Sequence, residues 1–201
     1  MSNLALGGAS IDGGLYTWVT DLAQRAPHAV NVLVSYGTDH GLFLFAILML
    51  ICWWRARSGT AAEMARALVG PLVVTVAYLA NDTVKSLFDE ARPCRTLHTV
   101  TVALCPGVTD WSFPSNHAAI AAAAAVALIG CAPRLGRIAV PATLLMAFSR
   151  IWVGAHYPHD VLAGLAIGVV VARPLMPLAR HATPAVARLR TTRLRPLVAA
   201  R

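Results

Sequence analysis

Three short segments of the chain contain residues whose types and order suit the breaking of a phosphate ester. They are residues 85–93, 114–117 and 149–160. Together they supply three cations, two imidazoles and one carboxylate: Lys85, Arg92, Arg150, His117, His156 and Asp160. Fixed cations stabilise a phosphoryl group in transfer, and an imidazole can serve as nucleophile, acid or base. This set of residues predicts phosphoryl transfer through a histidine nucleophile.

The composition of the chain places these segments in a membrane protein. Of its 201 residues, 57% are hydrophobic and 13% are charged, whereas a soluble domain carries about 25% charged residues. Five apolar blocks approach the ~20 residues that a spanning helix needs: 36–54, 65–88, 115–132, 138–153 and 160–178. Because lipid admits only helices and closed barrels, we expect an all-α polytopic bundle with one spanning helix for each of these blocks.

The net charge of +8 is distributed unevenly along the chain. Twelve of the 17 basic residues lie between or beside the first two blocks, between the third and fourth, or in and after the fifth. With five spans these regions share one side of the membrane, which the positive-inside rule makes cytoplasmic. The reactive segments then face the extracytoplasmic side. Membrane topology and contact of the arginine-rich tail with anionic lipid explain the charge, and nucleic acid is not expected as a partner.

The N-terminal segment differs from the apolar blocks. Its apolar residues repeat at helical spacing: Ile11, Leu15, Trp18, Val19 and Leu22. The pattern predicts an amphipathic helix that lies in the membrane interface, and a sixth, weakly hydrophobic span is the alternative. We therefore divide the chain into an N-terminal interfacial helix (1–35), a membrane-embedded domain (36–180) and a basic cytoplasmic tail (181–201).

The first reactive segment closes the second apolar block. Lys85 and Arg92 are seven positions apart, which on one helix would bring them to nearly the same face about 10 Å apart. Pro93 is expected to end the helix at Arg92. Ionisable groups inside a membrane bundle normally face a polar interior and mark function. The alternative for Lys85 alone is that its ammonium group reaches out to the interface.

The second segment, Pro114-Ser115-Asn116-His117, opens the third block. Ser115 suits a helix N-cap, where free backbone amides can hold an anion. His117 would then lie at the edge of that anion site. The alternative is a capping turn followed by an ordinary interfacial histidine.

The third segment joins the fourth and fifth blocks through a turn marked by Gly154 and Pro158. Asp160 follows His156 by four positions, close enough to accept a hydrogen bond from one ring nitrogen. The other nitrogen is then free to attack phosphorus. The alternative is a helix cap beside a surface histidine. His159 in the same turn receives no chemical role and is interpreted as structural or as part of the substrate rim.

Taken together, the three segments resemble the signature of the type-2 phosphatidic acid phosphatase superfamily, which also includes glucose-6-phosphatase and vanadium haloperoxidases. That signature is lysine, six residues and Arg-Pro; Pro-Ser-Gly-His; then Ser-Arg, five residues, histidine, three residues and aspartate. The chain matches the first and third parts fully and has Asn116 in place of the glycine. Asparagine adopts left-handed backbone conformations more readily than most residues. Activity is therefore expected to persist, with an effect on substrate fit.

The resemblance implies a role for each reactive residue. His156 would be the nucleophile, Asp160 its orienting partner, and His117 the acid that protonates the leaving oxygen and then the base that activates water. The groups that would hold the phosphoryl oxygens are Lys85, Arg92, Arg150 and the amides near Ser115 and Asn116. Because these cations replace a metal, no cofactor is implied. No carboxylate cluster that could bind a metal is expected either.

The resemblance also orders the candidate substrates. Members of the superfamily hydrolyse lipid phosphates, isoprenoid pyrophosphates, lipid A phosphates and phosphatidylglycerol phosphate. A small chain with an outward-facing site most resembles the bacterial plasma-membrane enzymes that recycle the undecaprenyl or decaprenyl pyrophosphate carrier of wall synthesis. Phosphatidic acid, phosphatidylglycerol phosphate and a polyprenyl phosphoribose phosphate are the alternatives. A non-enzymatic lipid-phosphate binder or flippase is a further one, against which the retention of both histidines and the aspartate argues.

The four cysteines divide between the two predicted sides. Cys94 and Cys105 share the outer loop and are candidates for a disulfide in an oxidising space. Cys52 and Cys131 lie at the cytoplasmic ends of separate predicted spans, so we expect neither to face an oxidising compartment. The cysteine spacings do not resemble a metal site.

Overall fold

The computed structural model describes residues 7–200 and is built from α-helices. In chain order these are α1 (Gly8–Arg25), α2 (His28–His40), α3 (Leu42–Ala56), α4 (Ala61–Lys85), α5 (Pro93–Thr96), α6 (Asn116–Cys131), α7 (Pro133–Trp152), α8 (Pro158–Leu175), a 3₁₀ helix (Met176–Ala182), α9 (Thr183–Leu189) and α10 (Arg195–Val198). No β-strand occurs in this described part of the chain. The predicted all-α membrane class is confirmed.

Local sequence sets where the main helices begin. Thr60 and Glu63 form a capping box before α4, in which the Thr60 amide donates to the Glu63 carboxylate at 2.6 Å and the Glu63 amide donates to Thr60 Oγ1 at 3.2 Å. Pro133 and Pro158 occupy the first positions of α7 and α8, where a missing amide hydrogen costs nothing.

The helices differ in how well they suit a membrane span. By length and apolar composition α4 can cross a membrane, as can the continuous run Pro158–Leu189. α2 and α3 would make a third span as a pair bent by 50°, while the apolar α6 has only 16 residues. The predicted single helix over 36–54 is therefore wrong, because the chain bends at Gly41. A Cβ on Gly41 would clash with the backbone carbonyl oxygen of Gly37 and would also meet the end of the Met146 side chain on α7, so this corner requires glycine.

Small side chains allow α6 to occupy the centre of the bundle. Every alanine between positions 118 and 125 is buried. The neighbouring α8 contributes glycines: a Cβ on Gly164 would lie 2.4 Å from the Ser115 carbonyl oxygen, and one on Gly168 would lie 2.4 Å from that of Ala119. This close approach is typical of helix pairs in lipid, where association depends on packing rather than on expulsion of water. It draws the N-terminal ends of α6 and α8 together.

The amphipathic N-terminal helix is present as α1, and its apolar stripe points away from the bundle. Ile11, Leu15, Trp18 and Leu22 are between 44% and 63% exposed, whereas Val19 is buried. The helix docks through a second stripe that includes Tyr16, Thr20 and Ala23. An exposed apolar stripe on a docked helix is the arrangement expected for a helix in the interface.

The predicted segment boundaries meet the helices as follows. The boundary between residues 35 and 36 falls inside α2. The predicted tail, 181–201, includes α9 and α10, whose Val186 and Val198 belong to the buried core near the end of α3. Trp53 donates a hydrogen bond from Nε1 to the Leu197 carbonyl at 3.0 Å, which ties this segment to α3. The division into domains itself stays a prediction.

Two disulfides link the four cysteines. Cys94 pairs with Cys105, as predicted, with 6.0 Å between their α-carbons. Cys52 pairs with Cys131, with 6.9 Å between α-carbons. This second bond was not predicted, because both cysteines were expected at the cytoplasmic ends of spans, away from an oxidising compartment. The packing of α3 against α6 brings together positions that are 79 residues apart in the chain.

We predict that the Cys94–Cys105 disulfide stabilises the loop that follows Arg92. Closing a loop of 11 positions stabilises a fold by about 3 kcal/mol in the chain-entropy model. Replacing both cysteines by serine should lower the free energy of unfolding in detergent by about this amount. Mass spectrometry of the non-reduced wild-type protein should find a peptide that links the two. Alkylation of Cys94 or Cys105 without prior reduction would contradict the prediction.

Candidate active site

The turn between α7 and α8 carries the third reactive segment. α7 ends at Trp152, and the amides of Ala155 and His156 both donate to the Arg150 carbonyl, at 3.0 and 3.2 Å. Gly154 adopts a φ of +83°, in the left-handed region that favours glycine. The predicted break at Gly154 is confirmed, and the turn directs the His156 side chain into the protein.

His156 is buried and contacts Asp160, the predicted partner. Its Nδ1 lies 3.4 Å from Asp160 Oδ2. The same carboxylate oxygen accepts hydrogen bonds from the Tyr157 amide at 2.9 Å and from the Ser112 hydroxyl. Because the carboxylate faces Nδ1, the proton belongs on Nδ1 and the lone pair on Nε2. Burial lowers the pKa of His156 well below its ordinary value, and the positive charges of Arg92, Arg150 and Lys85 lower it further. The imidazole is therefore neutral.

Arg92 covers the nitrogen of His156 that would attack phosphorus. Its Nη1 lies 3.0 Å from His156 Nε2 and donates to the Ala155 carbonyl at 2.8 Å. Its Nη2 donates to Asp110 Oδ1 at 2.8 Å, and its Nε donates to the Asp110 carbonyl at 3.0 Å. Although Arg92 is only 5% exposed, every one of these contacts is polar. A phosphoryl oxygen could replace the imidazole nitrogen as acceptor.

Lys85 and Arg92 do not share a helix, so the expectation that they do is wrong. α4 ends at Lys85, and the chain turns before Arg92, which caps α5 with extended backbone angles of φ −57° and ψ 142°. Pro93 accounts for that conformation, because its ring disfavours helix at the preceding residue. The Lys85 ammonium donates to the Trp111 carbonyl at 2.9 Å, and its charge acts on His156. The turn after α4, and not one continuous helix, therefore brings Lys85 and Arg92 to the same site.

Arg150 is held by Thr38, a residue that no sequence pattern had singled out. Its Nη1 donates to Thr38 Oγ1 at 2.9 Å, and the Ser149 hydroxyl donates to the same oxygen at 2.9 Å. Thr38 is buried in α2, more than 100 positions from both partners. The position of Thr38 beside the bend was not foreseen, because the prediction had one straight helix there.

The second segment begins α6, with Ser115 at the predicted N-cap position. The Ser115 hydroxyl does not cap the helix: it is buried and has no hydrogen-bond partner within residues 7–200. The Ser115 amide donates to the Asp160 carbonyl at 3.0 Å, which joins the starts of α6 and α8. The hydroxyl and the free amides of the following turn remain available to an anion.

Asn116, the departure from the family signature, is the first residue of α6. The left-handed tolerance of asparagine is not used here, because His98 is the only described residue other than glycine with positive φ. Instead, Asn116 Oδ1 accepts a hydrogen bond of 2.6 Å from Asn81 Nδ2. The side chain that replaces glycine thus links α6 to α4.

His117 lies in the first turn of α6, half-buried. The positive charges of Arg150, Arg92 and Lys85 act on it, and it makes no hydrogen bond to the described residues. Its ring is therefore free to exchange a proton with a bound group.

Sequence reasoning missed a cluster of acidic groups around His159, next to Asp160. His159 contacts Asp12 at 2.8 Å through Nδ1, and contacts Glu90 at 3.0 Å and Asp160 at 3.3 Å through Nε2. The expectation that no carboxylate cluster could bind a metal is wrong, because atoms of Glu90, His159 and Asp160 that could ligate a metal lie within 4.8 Å of one another. His159 itself occupies the space between the carboxylates. The only sequence signal was the proximity of His159 to Asp160.

The described groups therefore form one site that suits attack on a phosphate. A neutral, oriented imidazole is surrounded by three cations that can hold phosphoryl oxygens, and a second imidazole stands free to move a proton. Positioned charge of this kind provides most of the catalysis in phosphoryl transfer. The surrounding fold is a bundle of membrane-compatible helices. Together they define a membrane phosphatase.

The chain belongs to the PAP2 superfamily, whose model matches residues 66–184 and so includes all three reactive segments. The chain is 31% identical over 144 residues to undecaprenyl-diphosphatase BcrC of Bacillus subtilis (strain 168), covering 71% of each protein. It is 34% identical over 142 residues to decaprenylphosphoryl-5-phosphoribose phosphatase of Mycobacterium tuberculosis (strain H37Rv), covering 69% of this chain and 72% of that relative. The crystal structure of Aquifex aeolicus LpxE is similar in fold, with a TM-score of 0.62 and 20% identity over 83% of this chain and 95% of that one.

We predict that His156→Ala abolishes turnover, because the other imidazole beside Asp160, that of His159, has both ring nitrogens against carboxylates and has none free to attack phosphorus. Phosphate release from p-nitrophenyl phosphate measures the loss, and circular dichroism in detergent should show that the variant remains helical. His181→Ala is the matched control, since His181 is exposed and lies beyond the site. Turnover by the His156→Ala protein above the blank would exclude His156 as nucleophile.

For His117→Ala we predict a loss that depends on the leaving group. A poor leaving group needs a proton as its bond to phosphorus breaks, whereas p-nitrophenolate is stable without one. Turnover of an alkyl phosphate should therefore fall by a larger factor than turnover of p-nitrophenyl phosphate. The measurement is kcat for both substrates with the wild type and the variant. Equal losses would remove His117 from the role of general acid.

Proposed function

We propose that this chain hydrolyses a polyprenyl pyrophosphate at the extracytoplasmic face of the plasma membrane, through a phosphohistidine at His156. The observation that carries the proposal is the contact of buried, neutral His156 with Asp160 on one nitrogen and with Arg92 on the other. The names of two relatives, an undecaprenyl-diphosphatase and a decaprenylphosphoryl-5-phosphoribose phosphatase, support a polyprenyl substrate.

The first step of the proposed mechanism transfers the terminal phosphoryl group to the enzyme. Arg92 moves from His156 Nε2 to the phosphoryl oxygens, which Lys85, Arg150 and the amides at the start of α6 also bind. Nε2 attacks phosphorus, a nitrogen–phosphorus bond forms, and the bond from phosphorus to the bridging oxygen breaks. His117 donates a proton to that oxygen and the lipid monophosphate leaves.

The second step returns the enzyme to its starting state. His117, now without its proton, accepts one from a water molecule as the water oxygen attacks the phosphohistidine. The nitrogen–phosphorus bond breaks, inorganic phosphate leaves, and His156 is again neutral. Asp160 accepts the Nδ1 hydrogen bond throughout, which stabilises the positive charge that the imidazole carries in the intermediate.

A groove beside the site supports a substrate with a hydrocarbon tail. It has a volume of about 370 Å³, lies between α2, α3 and α7, and is lined mainly by apolar residues such as Leu33, Leu44, Leu145 and Phe148. Ser149, the neighbour of Arg150, also lines it. A lipid whose phosphate reaches the cations can therefore place its tail in this groove. The apolar lining suits prenyl and acyl chains alike, so the tail is selected by its apolar character.

The orientation in the membrane is proposed from charge. Arg55, Arg134 and Arg137 line a cavity of about 450 Å³ that also includes Cys131, the last residue of α6. The site lies at the other end of α6, near Asn116. The arginine-rich end is assigned to the cytoplasm by the positive-inside rule, which leaves His156 on the extracytoplasmic side.

The substrate is tested by phosphate release from purified protein in detergent with EDTA. Undecaprenyl pyrophosphate should be hydrolysed faster than phosphatidic acid, phosphatidylglycerol phosphate or a polyprenyl phosphoribose phosphate. We expect EDTA to leave the rate unchanged, because fixed cations supply the charge, and vanadate to inhibit as a five-coordinate phosphoryl mimic. The His156→Ala protein serves as the blank.

Each alternative outcome of this panel has a definite meaning. Faster hydrolysis of the polyprenyl phosphoribose phosphate would instead indicate the activity named for the second relative. Loss of the rate in EDTA would overturn the metal-independent mechanism. Binding of all four lipids without phosphate release would indicate a lipid-phosphate binder in place of an enzyme.

A further inference from the structure

The N-terminal helix reaches the catalytic turn through three residues on one face. A Cβ on Gly8 would lie 2.7 Å from the buried Tyr157 ring and would also meet the Glu90 carboxylate, so glycine allows this approach. One turn later Asp12 contacts His159, and a turn beyond that the Tyr16 hydroxyl donates to the Gly154 carbonyl at 3.0 Å. Although α1 lies outside the region that the family model matches, it holds the turn that carries the proposed nucleophile.

Both carboxylate oxygens of Asp12 contact His159. Its Oδ2 accepts the His159 amide at 2.7 Å, and its Oδ1 faces Nδ1 at 2.8 Å. The helix is locally interrupted for this contact, since Asp12 has non-helical angles of φ −146° and ψ 25°. A carboxylate opposite Nδ1 requires a proton on that nitrogen.

The other ring nitrogen of His159 faces two more carboxylates. Nε2 lies 3.0 and 3.2 Å from the two oxygens of Glu90 and 3.3 Å from Asp160 Oδ1. A lone pair on Nε2 would point at negative charge, so this nitrogen also carries a proton and the ring is an imidazolium. Tyr157 and Phe113 both stack on this ring, with centroids 5.4 and 6.0 Å away, which suits a cation next to aromatic faces.

His159 is the one cation that the described structure places against Asp160 Oδ1. That oxygen is buried and accepts no hydrogen bond within residues 7–200, and Glu90 is buried beside it. Two buried carboxylates in contact do not both stay ionised without a compensating charge. If Asp160 were protonated, Oδ2 would be a weaker, uncharged acceptor for the His156 Nδ1 hydrogen and would no longer balance the positive charge of the phosphohistidine.

We propose that His159 is a positioning residue: its imidazolium joins Asp12 of α1 to Glu90 and Asp160, and so keeps Asp160 ionised and aimed at His156. This inference rests on the proposed phosphohistidine mechanism. It gives α1 a part in catalysis, because Asp12 fixes the ring whose charge Asp160 needs. The role of His159 depends on its charge and not only on its packing.

Two substitutions separate these roles of His159. His159→Phe keeps a ring between Tyr157 and Phe113 but removes the charge, while His159→Lys keeps a positive charge without the ring. We expect kcat to fall about 10- to 100-fold in the Phe variant. A loss of this size is typical when a group that orients a metal-binding side chain is removed. KM should change little, because the phosphate-binding cations are untouched. The Lys variant should recover part of kcat.

Asp12→Asn provides the second arm, with Asp21→Asn as its matched control. Both positions are on α1, but Asp21 is exposed and lies far from His159 along the helix. Asp12→Asn should lower kcat, and combining it with His159→Phe should add little, because the two act through one contact. The control should match the wild type. If the His159 variants fail to fold, the kcat of the Asp12→Asn variant tests the proposal alone.

The assay uses p-nitrophenyl phosphate, so the result does not depend on which lipid is the natural substrate. Failure of the wild type on polyprenyl pyrophosphate would count against the proposed substrate, and not against His159. Wild-type kcat in His159→Phe or in Asp12→Asn would overturn the proposal. So would a loss confined to KM, additive losses in the double variant, or a divalent metal bound by purified wild-type protein and lost in His159→Phe.

Discussion

Burial of a neutral imidazole between a carboxylate and a guanidinium is the constraint on which the rest of the structure depends. His156 lies in a bundle built for lipid, where an unpaired polar group is expensive. Its two ring nitrogens are satisfied by Asp160 and Arg92, which come from opposite ends of the reactive region. Both partners are buried as well and need partners of their own, namely Ser112, the Tyr157 amide and Asp110. The polar network therefore extends outward from His156 to the half-exposed Asp110.

This network can form because small side chains let neighbouring helices pack closely against the central helix, α6. The buried alanines of α6 and the glycines of α8 bring the two helix starts close enough for the Ser115 amide to donate to the Asp160 carbonyl. Helix starts expose unpaired amides, and two of them side by side give a polar end to an apolar bundle. Small residues deep in the bundle thus determine the geometry of the site at its surface.

The sequence was sufficient for the parts of the structure that depend on local chemistry. The break at Gly154, the start of α6 after Ser115 and the pairing of Cys94 with Cys105 all involve residues close in the chain. What it could not give are contacts between distant segments: Thr38 with Arg150, Asp12 with His159, and Cys52 with Cys131. Each depends on how two helices meet, and no periodic pattern encodes that. The α2–α3 bend was missed although residues 37–41, Gly-Thr-Asp-His-Gly, interrupt the apolar sequence there, because the predicted span was carried through them.

The outward-facing apolar stripe of α1 has a consequence for where the site sits in the bilayer. Leu15 and Trp18 are exposed on one face of this helix, while Tyr16 on the other face holds the Gly154 carbonyl. A helix of this kind lies at the boundary between headgroups and acyl chains. In the proposed interfacial position, α1 is joined to the turn that carries His156, so its depth would set the height of His156 relative to the lipid phosphates. The proposed site would then meet a phosphate at the level where the membrane already holds it, without lifting the lipid out of the leaflet.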